Sequence, residues 1–301
     1  MKRRNKVQET YKYIRKLGEG AFGEAILVQS NGPNKNYYVM KSIPLINMNE
    51  EKKKKKTFEE VKILKKLNHP NIIKFHEGFI VPNPSPALNI IVEYADGGDL
   101  SMKIKNQKKK NRYFEESQIL DWFIQICLAL HHMHKKHILH RDIKAQNIFL
   151  TINNIIKIGD FGISKSLDNT LEKARTVIGT PYYVSPEIIQ NIPYSYKSDI
   201  WSLGVLLYEM VSLKVPFDGP NLPILILKIQ KGEYEKLKNI WSEDLRNLIY
   251  SMLQTNPNNR PNLEDILSKF YCFFNDFFRN AIFKGKNEKI VRRMWLQSRF
   301  Y

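Results

Sequence analysis

The stretch His140-Arg141-Asp142-Ile143-Lys144-Ala145-Gln146-Asn147 concentrates more chemistry than any other part of this 301-residue chain. A carboxylate, an ammonium two residues on and an amide three further can converge on one point from a tight loop. Asp142 can then orient a hydroxyl group and accept its proton, while Lys144 steadies a phosphoryl group in transit and the Asn147 amide oxygen reaches a divalent cation. Asp160-Phe161-Gly162 follows after one expected strand hairpin. Its carboxylate is the hard oxygen donor that Mg²⁺ on a phosphate chain prefers.

Near the other end, Gly18-Glu19-Gly20-Ala21-Phe22-Gly23 is a G-x-G-x-x-G loop. Without side chains at three positions, its backbone N–H groups can approach phosphate oxygens. A dinucleotide-binding fold needs a helix directly after such a loop, whereas Ala25-Ile26-Leu27-Val28 reads as a strand. No Gly-Lys-Ser/Thr closes a Walker loop either, so the pattern fits a glycine-rich hairpin lying over a nucleotide. Lys41 ends the apolar run Tyr37-Tyr38-Val39-Met40 and from a strand end can neutralise α- and β-phosphates; Glu60, on the helix after it, can pair with Lys41. A lone strand-end lysine or helix glutamate is ordinarily just a solvated residue. The ordered set is what points to phosphoryl transfer.

The elements that must position these groups follow from periodicity. Tyr11–Leu17, Ala25–Val28, Tyr37–Ser42 and Leu88–Glu93 read as strands, with a turn at Asn31-Gly32-Pro33-Asn34. Thr57–Leu67 has Phe58, Val61, Ile63, Leu64 and Leu67 at helical spacing. Gly97-Gly98 interrupts the chain, and helices are expected over Ser117–His134, Ser198–Ser212, Leu222–Lys231 and Asp244–Leu253, the apolar Gln118–Leu130 stretch being largely buried. The fold class expected is α+β, with a small strand-rich front lobe joined by a short hinge to a larger helical lobe.

With these motifs in this order, the chain from about Tyr11 to Phe273 resembles the eukaryotic protein kinases, and within them the NIMA-related (Nek) serine/threonine kinases. The closer likeness rests on Gly23–Val28, Tyr38–Lys41, Gly97-Gly98-Asp99-Leu100, His140–Leu150, Ile178–Glu187 and Lys197–Gly204. The resemblance implies a basic segment over 1–10, a kinase domain over 11–273 (front lobe 11–92, hinge 93–98, back lobe 99–273) and a basic aromatic extension over 274–301. It implies ATP and Mg²⁺ as cofactors, and Ser/Thr hydroxyls of proteins as acceptors.

By the same resemblance the glycine loop with its flanking Leu17 and Glu24 covers the nucleotide, and Ala25, Val39 and Phe149 clasp the adenine. Val92 is the gatekeeper, while Glu93 and Ala95 offer backbone groups. Leu64, Phe75, His140 and Phe161 stack as a spine, Asp199 anchors the catalytic loop, and Glu187 pairs with Arg260. Lys144 and Thr180 follow the serine/threonine pattern. Residues 160–187 form the activation segment, where phosphate on Thr176, received by Arg141, is expected to raise activity. Microtubule, centrosome or cilium association within the cytoplasm is implied by kinship alone.

Composition bounds the remaining readings. Lys and Arg number 48 against 30 Asp and Glu, a net charge of +18, which invites an acidic partner. The charge is scattered, densest at Lys52–Lys56 and Lys108–Lys110, and no zinc-finger spacing, basic-leucine heptad or RNA-recognition motif accompanies it, so specific nucleic-acid binding is not expected. No apolar run approaches a membrane span, and the basic N-terminus is not followed by the apolar core of a secretory signal. Any dimerisation is expected to use a surface other than a coiled coil following the domain. Cys127 reads as buried filler, and His131, His134, His137 and His140 as packing and loop residues, not metal ligands. The alternative function, a catalytically inactive pseudokinase scaffold or binding module, would show degenerate catalytic residues, and none is degenerate here.

Overall fold

Successive side chains of a strand point to opposite faces, so residues two apart share a face. In the computed structural model, which describes residues 10–20, 23–45, 61–81, 86–159 and 181–269, that alternation gives the first sheet an apolar cluster on each side. Its strands are β1 (Tyr11–Gly20), β2 (Gly23–Ser30), β3 (Tyr37–Pro44), β4 (Phe75–Val81) and β5 (Ala87–Glu93), antiparallel throughout in the order β1-β2-β3-β5-β4. Val39 and Ile43 pack with Leu88, Ile90 and Val92 on one face. Tyr38 and Met40 pack with Ile26, Val28 and Ile91 on the other. Lys41, two residues from both Val39 and Ile43, belongs to the first face.

The expected strands are present, each longer than its apolar run. The expected turn closes with Lys35 N–H donating to the Gly32 carbonyl at 3.2 Å, Lys35 taking a positive φ of 44°. Strand β4 had no separate sequence expectation, because His76, Glu77 and Gly78 interrupt its apolar residues; its register with β5 shifts between Phe75 and Glu77. The expected Thr57–Leu67 helix, α1, is described only from Val61 and is helical over 61–66. Ala21, Phe22, Lys52–Lys56, Glu60, Asp160-Phe161-Gly162, Thr176, Thr180 and the aromatic stretch from Phe270, with Cys272, lie outside the described residues.

A second, two-stranded ribbon pairs β6 (Ile148–Leu150) with β7 (Ile156–Ile158). Ile73 N–H donates to the Ile158 carbonyl and Ile158 N–H to the Asn71 carbonyl, both at 2.8 Å. Gly97 N–H donates to the Leu150 carbonyl at 2.8 Å. Through such bonds the described residues from His140 to Gly159 group with the strands in one compact unit, together with the chain up to Met102.

The second unit comprises residues from Lys103 to Leu139 and those after the ribbon. Helix α2 (Leu100–Lys109) runs from the first unit into it, started by Asp99 Oδ1 accepting the Met102 N–H at 2.8 Å. Sequence periodicity did not reveal this helix, since lysines occupy most of its surface. Helix α3 (Glu116–Lys135) buries Trp122, Phe123, Cys127, Leu130 and Met133, as its apolar stripe requires. The short α4 (Pro186–Ile189) precedes α5 (Tyr196–Ser212), which starts with a capping box between Ser195 and Ser198 and is buried almost all round. Helix α6 (Leu222–Lys231) is capped by Asn221 and stopped by Gly232, and α7 (Glu243–Met252) is capped by Ser242. No helix among the described residues is long and apolar enough to cross a membrane.

Candidate active site

The loop leading into β6 gathers the residues singled out by their chemistry. Ala145–Asn147 forms a single 3₁₀ turn, with Asn147 N–H donating to the Lys144 carbonyl at 3.0 Å. That turn swings the Asn147 side chain, 4% exposed, back onto Asp142. Asn147 Nδ2 donates to the Asp142 backbone oxygen at 2.7 Å and to its carboxylate Oδ2 at 2.8 Å. Lys144 Nζ stands 3.0 Å from the same Oδ2. Two donors, one of them charged, therefore fix one carboxylate oxygen. Fully buried His140 accepts the Asp142 N–H at Nδ1 (3.3 Å), giving the packing histidine an orienting role too. Arg141 between them sits at φ 66°, a conformation unusual for a non-glycine residue. Gly159 N–H donates to the Asn147 carbonyl at 3.0 Å, which ties the loop to the residue preceding Asp160.

The glycine loop is the end of the β1–β2 hairpin, whose last described pair is Gly20 with Gly23. Gly23 takes φ 141°, and a Cβ there would lie 2.0 Å from the Ser42 carbonyl oxygen on β3. A Cβ on Gly18 would meet nothing within 4 Å. The two glycines thus have different reasons: one admits a neighbouring strand, while the other leaves open space. Lys16 Nζ bridges Glu19 at 2.7 Å and Glu24 at 2.6 Å, a pairing that holds the Glu19 carboxyl below its usual range and raises the Lys16 ammonium. Leu17 is 37% exposed.

Lys41 on β3 lies opposite Ala25 of β2 and Ile90 of β5. On its face of the sheet, Val39, Val92, Ala95, Phe75 and Phe149 belong to one apolar cluster. Four residues expected around an adenine, Val39, Val92, Ala95 and Phe149, are thus brought together. Glu93 is held by its N–H to the Lys74 carbonyl (2.9 Å), by the Lys74 N–H to its Oε2 (3.1 Å) and by Lys157 Nζ at 2.5 Å from Oε1. Sequence reasoning missed Lys157. Its signal was a lone charge between Ile156 and Ile158 in a strand of otherwise apolar residues. Gly97 cannot carry a Cβ, which would fall 2.6 Å from the Thr151 carbonyl oxygen.

In the second unit, Glu187 and Arg260 form the expected pair, with two contacts of 2.8 Å. Ser202 Oγ donates to the Tyr183 carbonyl at 2.9 Å, and the Tyr183 hydroxyl donates to Glu209, whose carboxyl burial pushes up. Asp199, fully buried, accepts from the Tyr194 hydroxyl at 2.6 Å and lies 2.8 Å from His134 Nε2. His131 meets Glu264 at 2.9 Å, and His137 meets the Tyr196 hydroxyl at 3.2 Å. These histidines meet carboxylates and a hydroxyl, and among the described residues no group of three or more His, Cys, Asp or Glu could hold a metal. The Glu60, Asp160, Thr176 and Thr180 expectations, with Ala21 and Phe22, fall outside the described residues.

The β1–β2 hairpin, a strand lysine and an Asp-Lys-Asn constellation thus lie within one compact unit. The chain belongs to the protein kinase family, whose domain matches residues 11–272, and its relatives place it in the Nek group. It is 46% identical over 261 residues to the serine/threonine-protein kinase Nek1 of Mus musculus, covering 87% of this chain and 21% of that protein. With Nek5 of Homo sapiens it shares 46% over 285 residues, 94% of this chain and 38% of that protein. With nekl-2 of Caenorhabditis elegans it shares 41% over 268 residues, 86% and 73% respectively. The chain therefore spans well under half the length of the first two of these relatives.

Proposed function

We propose that this chain is a protein serine/threonine kinase domain, transferring the γ-phosphoryl group of ATP to Ser or Thr hydroxyls of protein substrates. Its relatives' names as serine/threonine-protein kinases support the reading. The single observation carrying it is the Asp142 carboxylate gripped by Asn147 and Lys144.

On this reading Asp142 orients the acceptor hydroxyl in line with the phosphoryl group and takes its proton, and Lys144 offsets charge on the moving group. Lys41, steadied by Glu60, holds the α- and β-phosphates, while Gly18 and Gly20 admit them to the hairpin backbone. Leu17, Ala25, Val39, Val92 and Phe149 enclose the adenine, and the backbone of Glu93 and Ala95 reads its edge. Asn147 directs its amide N–H groups at Asp142, so its carbonyl oxygen is the atom suited to a hard cation. Together with Asp160 it would hold Mg²⁺, which supplies charge neutralisation on the phosphates. Positioning and electrostatics do the work, with no covalent enzyme intermediate.

Asp142→Asn should lower kcat by about 10²–10⁴-fold while nucleotide affinity stays within a factor of two or so. Retained turnover in that variant would remove Asp142 from its role, and no turnover in the parent protein would favour the scaffold alternative. We further propose that Thr176, phosphorylated in trans and received by Arg141, raises activity. Thr176→Ala protein keeping full specific activity after incubation with ATP would end that part. Kinship also supports a cytoplasmic setting with microtubule, centrosome or cilium association, tested by co-sedimentation with polymerised tubulin.

A further inference from the structure

Between Asp99 and Glu115 the chain carries Lys103, Lys105, Lys108, Lys109, Lys110 and Arg112 and no carboxylate. Lys105, Lys108, Lys109 and Lys110 are exposed on α2 and just beyond its end, and among the described residues none of these four holds an ion pair within 4 Å. Lys105 and Lys108 are close enough for their charge to act on Glu209, the acceptor of the Tyr183 hydroxyl. The end of α2 also forms one wall of an open cleft of about 560 Å³, lying wholly within the second unit. Lys108, Lys214 and Lys228 line it, with Val215, Pro216 and Tyr234 supplying apolar surface.

The carboxylates at this cleft have local partners. Glu235 lies 3.8 Å from Lys214, Glu233 lies 3.8 Å from Lys231, and Asp218 accepts the Gly219 N–H at 2.8 Å. Lys228 Nζ donates to the Asp218 carbonyl at 2.7 Å. The surplus of positive charge therefore lies along the α2 rim, beside a mostly polar cleft with a small apolar patch at Val215, Pro216 and Tyr234.

We propose that this rim and cleft form a docking surface for an acidic polypeptide segment, with glutamates or aspartates along α2 and one apolar side chain against the Val215, Pro216 and Tyr234 patch. A nucleic acid fits less well. Tyr208 is buried, and Tyr234 is packed edge to face against both Tyr208 and Phe217, so the cleft offers little ring face to a stacked base. The three carboxylates around the cleft would also repel an evenly charged phosphate backbone, whereas a peptide can place its charges along the lysine rim only.

The test is fluorescence anisotropy on the full chain, with a labelled short peptide of glutamates around one leucine. Its glutamine counterpart and a single-stranded oligonucleotide of matched charge are the comparison probes. The glutamate peptide should bind with an affinity that falls as salt rises, and the Lys105→Glu/Lys108→Glu/Lys214→Glu variant should weaken it by at least ~10-fold. Lys12→Glu, an exposed charge reversal in the other unit, should leave binding within a factor of about two. Thermal melting and turnover on an uncharged peptide establish that the triple variant is folded. Equal binding of the glutamine peptide, unchanged affinity in the folded triple variant, or an oligonucleotide that binds more tightly through the same lysines would each overturn the proposal. Binding is read without phosphoryl transfer, so this result stands apart from that of Asp142→Asn.

Discussion

Glu187 and Arg260 lie 73 residues apart in sequence yet meet as a bidentate pair with no more than 3% of either side chain exposed. The arginine also donates to the carbonyls of Lys197, Gln254 and Thr255 and lies over the Trp201 ring at 4.9 Å. Ser198 Oγ completes the set by donating to Glu187 Oε1 at 2.6 Å. One contact network thus joins α4, the start of α5 and the Pro257–Asn259 turn that follows α7. Arg260→Met would leave a buried carboxylate unpaired and should cost about 3–5 kcal/mol. Glu187→Met/Arg260→Met should lose less than the two single changes added together. Urea unfolding of the three variants measures both.

The same pair sets a pH dependence. Burial alone would raise the Glu187 carboxyl, but the Arg260 hydrogen bonds and charge, helped by Ser198, outweigh it and hold the group below its ordinary value of 4.5. The folded carboxyl therefore binds its proton less readily than the unfolded one. Its stabilising contribution is complete above the ordinary value and disappears as pH falls through the lowered one. In urea titrations the stability gap between the parent protein and Glu187→Gln should be constant near neutrality and shrink below about pH 4.5. A gap that widens on acidification would contradict the assignment.

Gly23 and Gly18 should respond oppositely to alanine. Gly23→Ala sets a Cβ against the Ser42 carbonyl at a positive φ and should destabilise the hairpin by about 1–3 kcal/mol. Gly18→Ala meets open space and should leave stability within about 0.5 kcal/mol while weakening nucleotide binding several-fold. Thermal melts with and without nucleotide separate the two effects.

Cys127 should be inert until the second unit opens. Its thiol is fully buried on α3, and burial pushes its pKa well up, away from the reactive thiolate. In a Cys272→Ser background, a thiol reagent should label the native protein no faster than it unfolds. Rapid labelling without denaturant would show that α3 is not packed as described.

Much of the first sheet could be read from the sequence, β1 from its alternation and β2, β3 and β5 from short apolar runs, because a strand buried on both faces needs apolar residues at odd and even positions alike. β4 was obscured where His76, Glu77 and Gly78 interrupt that pattern. Helix α2 was obscured because its lysines mask the period, although Asp99 at its start was a usable signal. The long helices α3 and α5 were visible through continuous apolar content, and the bounds expected for α6, Leu222–Lys231, are the ones observed.

At the site, the sequence alone determined which groups are present and in what order: Asp142, Lys144 and Asn147 within one short loop, Lys41 after an apolar strand, and glycines ahead of both. Side-chain chemistry is a local property, so spacing suffices to name it. Tertiary structure decided what those groups are held by. Asn147 and Lys144 converge on the same Asp142 oxygen because one 3₁₀ turn reverses the chain, and Lys157 reaches Glu93 because the β6–β7 ribbon is hydrogen-bonded to the chain before β4. It also gave Gly23 and Gly18 separate roles that one motif had treated alike. Distances between residues far apart in sequence arise only when the whole chain packs, and no pattern of residue types encodes them singly.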